Sequence, residues 1–178
     1  MKDWVKQVAE YPRPDMVRKD YLLLDGEWEF MFDYLNTGLA AGWHKKPVFF
    51  SRVRVPFCVE SELSGVNTKL HSGIMWYAKQ FDCPAGYAAE GKKVLLHFGA
   101  VDYSARVWLN GNPVGTHRGG YTSFTFDVTP FIQPGDNRLV VRARDHLDPR
   151  SPRGKQSPMG VPFGIVYGPT AVIWQSVY

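Results

Sequence analysis

Ser104-Ala105-Arg106-Val107-Trp108-Leu109, then Asn110-Gly111, then Asn112-Pro113-Val114-Gly115-Thr116-His117 reads as two strands joined by a tight turn. Asn-Gly between apolar runs favours a type I′ turn, because both central residues need positive φ. The same period of two continues outward on either side. Towards the N-terminus, Trp28, Phe30 and Phe32 alternate with Glu27, Glu29 and Met31, and Val53 and Val55 alternate with Arg52 and Arg54 before Pro56. Such alternation marks strands with one face in the core. Val48–Val55, Ile74–Phe81 and Lys93–Phe98 are further predicted strands, and Pro84-Ala85-Gly86 is a turn. Towards the C-terminus, Phe124, Phe126 and Val128 alternate with Thr125 and Asp127. Pro134-Gly135-Asp136-Asn137 reads as a turn, Leu139–Ala143 as a strand and Ala171–Tyr178 as the last strand.

About nine strands result, many spaced by 8–12 residues, which predicts an all-β antiparallel sandwich or barrel. Asp3–Glu10, with Trp4, Val5 and Val8 on one side, is a candidate short helix ended by Tyr11-Pro12-Arg13-Pro14. Residues 1–20 form an N-terminal arm, and Asn36–Trp43 reads as a loop or one helical turn. Two long irregular segments remain, Val59–Ser72 and His146–Pro169. Loops of that length inside a compact domain are usually functional or disordered.

The chain has 178 residues, the size of one domain and too short to add a (β/α)₈ barrel of about 250 residues. It is 44% hydrophobic and 15% aromatic, enough for a packed core. The charge balance is mild, 21 Lys+Arg against 17 Asp+Glu. Basic residues are scattered except for Arg142, Arg144, Arg150, Arg153 and Lys155, so no nucleic-acid footprint is signalled. Cys58 and Cys83 have no CxxC spacing and read as two reduced, mostly buried thiols. His71 and His117 are isolated, His97 reads as a satisfied core or edge histidine, and no metal or other cofactor is expected. The first twenty residues lack an apolar signal-peptide core, and no stretch approaches the ~20 apolar residues of a membrane span. A soluble, cytoplasmic protein is expected, with no membrane partner.

Specific strings then become informative together. Tyr11-Pro-Arg-Pro, Val17-Arg18-Lys19-Asp20 and Leu24-Asp25-Gly26-Glu27-Trp28-Glu29-Phe30 open the series. Val55-Pro56-Phe57, Glu60-Ser61 and Trp76-Tyr77 follow. His97-Phe98-Gly99-Ala100-Val101-Asp102-Tyr103, Val107-Trp108-Leu109-Asn110-Gly111 and Gly119-Gly120-Tyr121-Thr122-Ser123-Phe124 form a central block. Asn137-Arg138-Leu139-Val140-Val141-Arg142, Pro152-Arg153-Gly154-Lys155-Gln156 and Ile173-Trp174-Gln175 complete it. In order and spacing these blocks resemble the N-terminal sugar-binding domain of glycoside hydrolase family 2, the family of β-galactosidases, β-glucuronidases and β-mannosidases.

The resemblance implies a jelly-roll β-sandwich of the galactose-binding-domain type. It implies a parent enzyme acting by double displacement on a β-linked glycoside. An immunoglobulin-like domain and a catalytic barrel would follow as partners of this domain, and relatives are commonly multimeric, so a homo-oligomer is a further expected partner. The family's two catalytic glutamates lie on the barrel. Retaining glycosidases need two carboxyls about 5–5.5 Å apart, and no residue here takes either role, so the chain alone is expected to be inactive. The chain stops at Val177-Tyr178 in an apolar strand, as a domain excised from a longer enzyme would.

The candidate substrate rim is the segment from Asp145 onward. Asp145, Asp148, Arg153, Lys155 and Gln156 supply carboxylate, cation and amide groups suited to sugar hydroxyls, and Tyr167 and Phe163 supply an aromatic face. In the best-known β-galactosidases an acid just before the last strand touches the sugar, whereas Gly164-Ile165-Val166-Tyr167 has none. The alternatives are a surface that packs on other domains, a free-standing carbohydrate-binding module and a structural scaffold. Trp28, Trp76, Trp108 and Trp174 fall on strand patterns and read as core. Asp102 reads as part of a turn or an ion pair, and Glu60 and Glu62 as solvated surface groups.

Overall fold

The computed structural model describes residues 20–68, 73–87, 89, 91–146, 152, 154–157 and 161–178. The predicted helix Asp3–Glu10 lies outside them. The described residues contain ten strands: β1 Gly26–Phe32, β2 Ser51–Val55, β3 Ile74–Cys83, β4 Leu95–Phe98, β5 Val101–Asp102, β6 Ser104–Leu109, β7 Asn112–Arg118, β8 Phe124–Asp127, β9 Gly135–Arg144 and β10 Val172–Ile173. Six of them form one sheet in the order β2-β1-β3-β9-β6-β7, and β10-β5 and β4-β8 form two short ladders. Every pairing is antiparallel. The expected nine-strand all-β sandwich is thus present with one strand more, the two-residue β5.

The main core explains the alternation read from sequence. Trp28 and Phe30 of β1, Val53 and Val55 of β2, Met75 and Tyr77 of β3 and Leu139 and Val141 of β9 point to one side. There they meet Leu96 and Phe98 of β4 and Val172 and Ile173 of β10. β3 departs from simple alternation, since Ile74 to Ala78 are all buried. Its other face carries Ile74, Trp76 and Ala78, which join Phe49, Trp108 and Val140 in a second apolar cluster. A strand buried on both faces reads as a continuous apolar run.

The segment 34–46 covers that second face. The Asp33 carboxylate accepts from the Thr37 and Gly38 N–H groups (2.8 and 3.0 Å) and from the Trp76 indole (2.9 Å). Trp76 stacks on Trp108 at 5.5 Å between centroids. A side chain at Gly38 would overlap the Trp43 and Trp76 rings, so glycine lets this cover lie close to the sheet.

The β6–β7 turn is as expected: Asn110 and Gly111 both have positive φ, 53° and 78°. The Asn110 amide also bonds the Asn137 side chain (2.8 Å) and the Phe131 carbonyl (2.9 Å). This contact accounts for a correction. Gly135, Asp136 and Asn137 are not a turn but the start of β9, paired with Cys83, Asp82 and Phe81. Asn137 is buried because it closes the preceding loop, donating to the carbonyls of Gln133 and Gly135.

The last predicted strand is also shorter than expected. Val172–Ile173 pairs with β5, Val172 bends the chain at φ 86°, and Tyr178 then exchanges backbone bonds with His97 of β4 (3.0 and 2.7 Å). The chain therefore crosses from one short ladder to the other and ties both to the core. His97 sits on this edge, bonded through Nδ1 to the Thr125 hydroxyl at 2.7 Å. Cys58 and Cys83 are free thiols, half-buried and buried.

Candidate functional site

The segment expected to be a long loop is ordered where it is described. Gly154 turns the chain at φ 57°. Gln156 then pairs with Tyr167 in a parallel bridge, with Tyr167 N–H donating to the Lys155 carbonyl (3.1 Å) and Ser157 N–H to the Tyr167 carbonyl (2.7 Å). Phe163 and Val166 exchange backbone bonds around Gly164, which has φ 54°. This part of the chain is a strap folded back on itself, and side chains fasten it to the sandwich.

Gln156 is the first fastening. It is buried, its Nε2 donates to Asp102 Oδ2 at 3.2 Å, and its Oε1 accepts from Thr170 N–H at 3.0 Å. It also hydrogen-bonds the Tyr121 side chain. Asp102 is fixed in turn by β5 and by the Gly119-Gly120 bend, because a Cβ at Gly120 would overlap the Asp102 carboxyl. Trp174 holds that bend from the other side, donating its indole N–H to the Gly120 carbonyl at 2.8 Å. Burial raises the Asp102 carboxyl above the usual range, opposed by the Gln156 hydrogen bond.

Glu60 is the second fastening. Its Oε2 accepts from Ala171 N–H at 3.3 Å, while its Oε1 is buried with no hydrogen-bond partner among the described residues. Burial pushes its pKa up to about 7; the N–H groups of Glu60 and Ala171 oppose that, and Asp102 adds to it. The expectation of a solvated Glu60 is therefore corrected, because Glu60 turns inward under the C-terminal segment, while Glu62, two residues on, is exposed as expected. The expectation for Asp102 is corrected as well. It lies in a strand and receives an amide rather than a cation.

Of the sequence-derived candidates, Gln156 and Tyr167 pair with each other, and Asp145 is buried just after β9. The Tyr121 and Tyr167 hydroxyls both approach Gly154, each 3.3 Å from where its Cβ would stand. The Tyr121 hydroxyl senses the charges of Asp102, Tyr167 and Asp145. Lys155 is exposed beside them. Asp148 and Arg153 lie outside the described residues. Phe163 is near the tip of the strap, away from the bonds that fasten it.

Tyr121 is the residue that sequence reasoning missed. It is half exposed, packs edge-on against Trp174 at 6.1 Å and connects strap and sandwich. The available signal was Gly119-Gly120 directly before it: two glycines outside a hairpin indicate a close approach, here by Asp102. Trp174, expected in the core, is only partly buried and belongs to this cluster. Trp28, Trp76 and Trp108 are core as expected.

The face presents two phenols, a primary amide and buried carboxyls. Phenol hydroxyls and amides donate to and accept from sugar hydroxyls, and a tyrosine ring covers an apolar sugar face. Among the described residues, no three His, Cys, Asp or Glu side chains are grouped to hold a metal ion.

Comparison with known proteins agrees with this architecture. A beta-glucuronidase of Canis lupus familiaris is 33% identical over 154 residues, covering 79% of this chain and 23% of that protein. A beta-galactosidase of Thermoanaerobacter pseudethanolicus is 43% identical over 79 residues, covering 42% of this chain and 10% of that protein. The solved structure of a Ruminococcus gnavus β-glucuronidase in complex with C6-substituted uronic isofagomine superposes with a TM-score of 0.72 at 26% identity, covering 94% of this chain and 30% of that one. This chain thus spans less than a third of the length of each. The family model described as "Glycosyl hydrolases family 2, sugar binding domain" matches residues 44–148, more than half of the chain. The chain belongs to the sugar-binding domain family of the family 2 glycosyl hydrolases.

Proposed function

We propose that this domain forms part of the substrate-pocket rim of a retaining β-glycosidase of the β-glucuronidase or β-galactosidase kind, and helps assemble that enzyme's other domains. The catalytic glutamates of such an enzyme would come from outside these 178 residues. The observation that carries the reading is the convergence of Tyr121, Gln156 and Tyr167 on the Gly154 turn, backed by Asp102. Asp148 and Arg153, on the same segment, and Lys155 and Asp145 complete the proposed rim. A rim contributes only some of the contacts a sugar receives, so the isolated chain should bind weakly.

The experiment is a calorimetric titration of the 178-residue chain with glucuronic acid, galactose and mannose, together with assays on p-nitrophenyl β-glucuronide and β-galactoside. Neither saturable millimolar binding nor hydrolysis is expected. Saturable binding would instead support a self-sufficient carbohydrate-binding module, and hydrolysis would contradict the proposal. A second role is favoured by one observation: Val161, Phe163 and Ile165 project from the strap, Ile165 with 83% of its surface exposed. Exposed apolar side chains of this kind are suited to burial against another domain.

A further inference from the structure

We propose that Glu60 and Asp102 form a proton-dependent latch that holds residues 154–157 and 161–171, and with them the Tyr121–Tyr167 face, against the sandwich. The proposal rests on the reading of that face as the sugar-facing rim, and adds a means of regulating it.

The geometry supplies both halves of the latch. Glu60, in the loop after β2, grips the far end of the segment through Ala171 N–H. Asp102, on β5, grips its near end through the Gln156 amide, and Gln156 ties that end to Thr170. Two backbone amides and one side-chain amide thus depend on two carboxyls that come from different parts of the chain. Between them the strap's apolar residues Val161, Phe163 and Ile165 are exposed.

Both carboxyls sit where charge is poorly compensated. Glu60 is faced by Asp102 from β5, by Tyr77 from β3, by Cys58 from its own loop and by Ala171 N–H from the C-terminal segment. Asp102 is faced by Gln156 from the strap, by Tyr121 from the bend after β7 and by Glu60. No cation is among these groups, and neither carboxyl has an ion-pair partner among the described residues. The Glu60 Oε1 and Tyr77 hydroxyl are both buried without hydrogen-bond partners among the described residues. A buried charge with neither counter-ion nor full hydrogen bonding is costly, so the closed strap favours the protonated acid.

The sign follows from the two states. With the strap closed, Glu60 keeps its proton up to about pH 7; with the strap open and water present, it titrates near its ordinary 4.5. The closed state holds the proton more tightly, so closing is favoured in acid and weakens as pH rises between those values. Each unit of difference is a factor of ten in the opening equilibrium, about 100-fold across the window.

The test is amide hydrogen exchange by NMR on the 178-residue chain from pH 5 to pH 8, corrected for the intrinsic pH dependence of exchange. Protection at Ser157, Tyr167, Thr170 and Ala171 should fall about 100-fold, while the β3–β9 ladder amides keep theirs. In Glu60→Gln the strap amides should lose the part of this dependence that Glu60 supplies, leaving only the smaller part due to Asp102. Constant strap protection in the wild type, an equal fall in the ladder, or an unchanged fall in Glu60→Gln would each overturn the latch. Should Glu60→Gln fail to fold, Asp102→Asn supplies the second arm: removing the neighbouring charge lowers the Glu60 carboxyl in the closed state, so the fall should end at lower pH, and an unmoved profile would overturn the proposal. Sugar binding is not read in this experiment, so a flat profile removes the latch and leaves the rim reading in place.

Discussion

The six-stranded sheet and the 154–171 strap are stabilised in different ways. In the sheet, each strand's backbone groups are met by a neighbouring strand, and side chains alternate between two apolar clusters. Among the described residues of the strap, pairing takes the form of two isolated bridges, and Gln156, Asp102 and Glu60 attach it to the sandwich. The sheet is specified by pattern and distributes its stability over many contacts. The strap is specified by single polar residues far apart in sequence, so its stability depends on few groups and on their protonation. A binding surface carried by such a segment can be adjusted without disturbing the core.

The largest effect should come from breaking the sheet side of this contrast. Trp76→Ala removes a fully buried indole, its stack on Trp108 and its bond to Asp33. Large-to-small core changes of this kind cost about 3–5 kcal/mol, to be measured by urea unfolding. The strap amides should keep their exchange pattern relative to the ladder.

The next effect concerns pH. Because the Glu60 carboxyl is raised by burial from 4.5 to about 7, the folded state binds a proton that the unfolded chain has released between those values. Its contribution to stability is present below about pH 4.5, is lost as pH rises, and is gone above about pH 7. Over that window wild-type stability should fall relative to Glu60→Gln by on the order of 2–3 kcal/mol, read as the difference between their urea midpoints at matched pH.

A smaller effect is expected at the junction of strap and sheet. Gly120→Ala pushes a methyl group into the Asp102 carboxyl, and overpacking of this kind costs about 1–3 kcal/mol. Adding Asp102→Ala should recover part of that loss, giving a non-additive double-mutant cycle. Additive effects would show that the two residues do not press on each other. The smallest effect belongs to the hairpin: Gly111→Ala, at φ 78°, should cost about 1 kcal/mol in thermal or urea unfolding.

The same contrast explains what was legible in the sequence. The β6–β7 hairpin was readable because its turn chemistry is local and its neighbours alternate. β9 was read short at its start because Pro134-Gly135-Asp136-Asn137 has turn composition, while the deciding contact, Asn137 with Asn110, spans 27 residues. The family blocks pointed to the right fold, and two of the rim candidates read from them, Gln156 and Tyr167, lie in the strap and pair with each other. Glu60 was misread because nothing adjacent to it says that Ala171, 111 residues away, will cover it. Tyr121 escaped notice because its role depends on a carboxyl that packs against the preceding glycine. Side-chain fastenings between distant segments have no period, and only the folded chain reveals them.

The central claim is that the Tyr121–Tyr167 face lies on the substrate pocket. It is tested most directly by steady-state kinetics of the longer enzyme carrying this domain, with Tyr121→Ala and Tyr167→Ala combined, on a β-glucuronide and a β-galactoside. The account predicts that kcat/KM on the preferred substrate falls about tenfold or more, the loss of roughly one aromatic–sugar contact, with protein stability and oligomeric state unchanged. Kinetic constants equal to those of the wild type on both substrates would contradict it and leave this face as a packing surface.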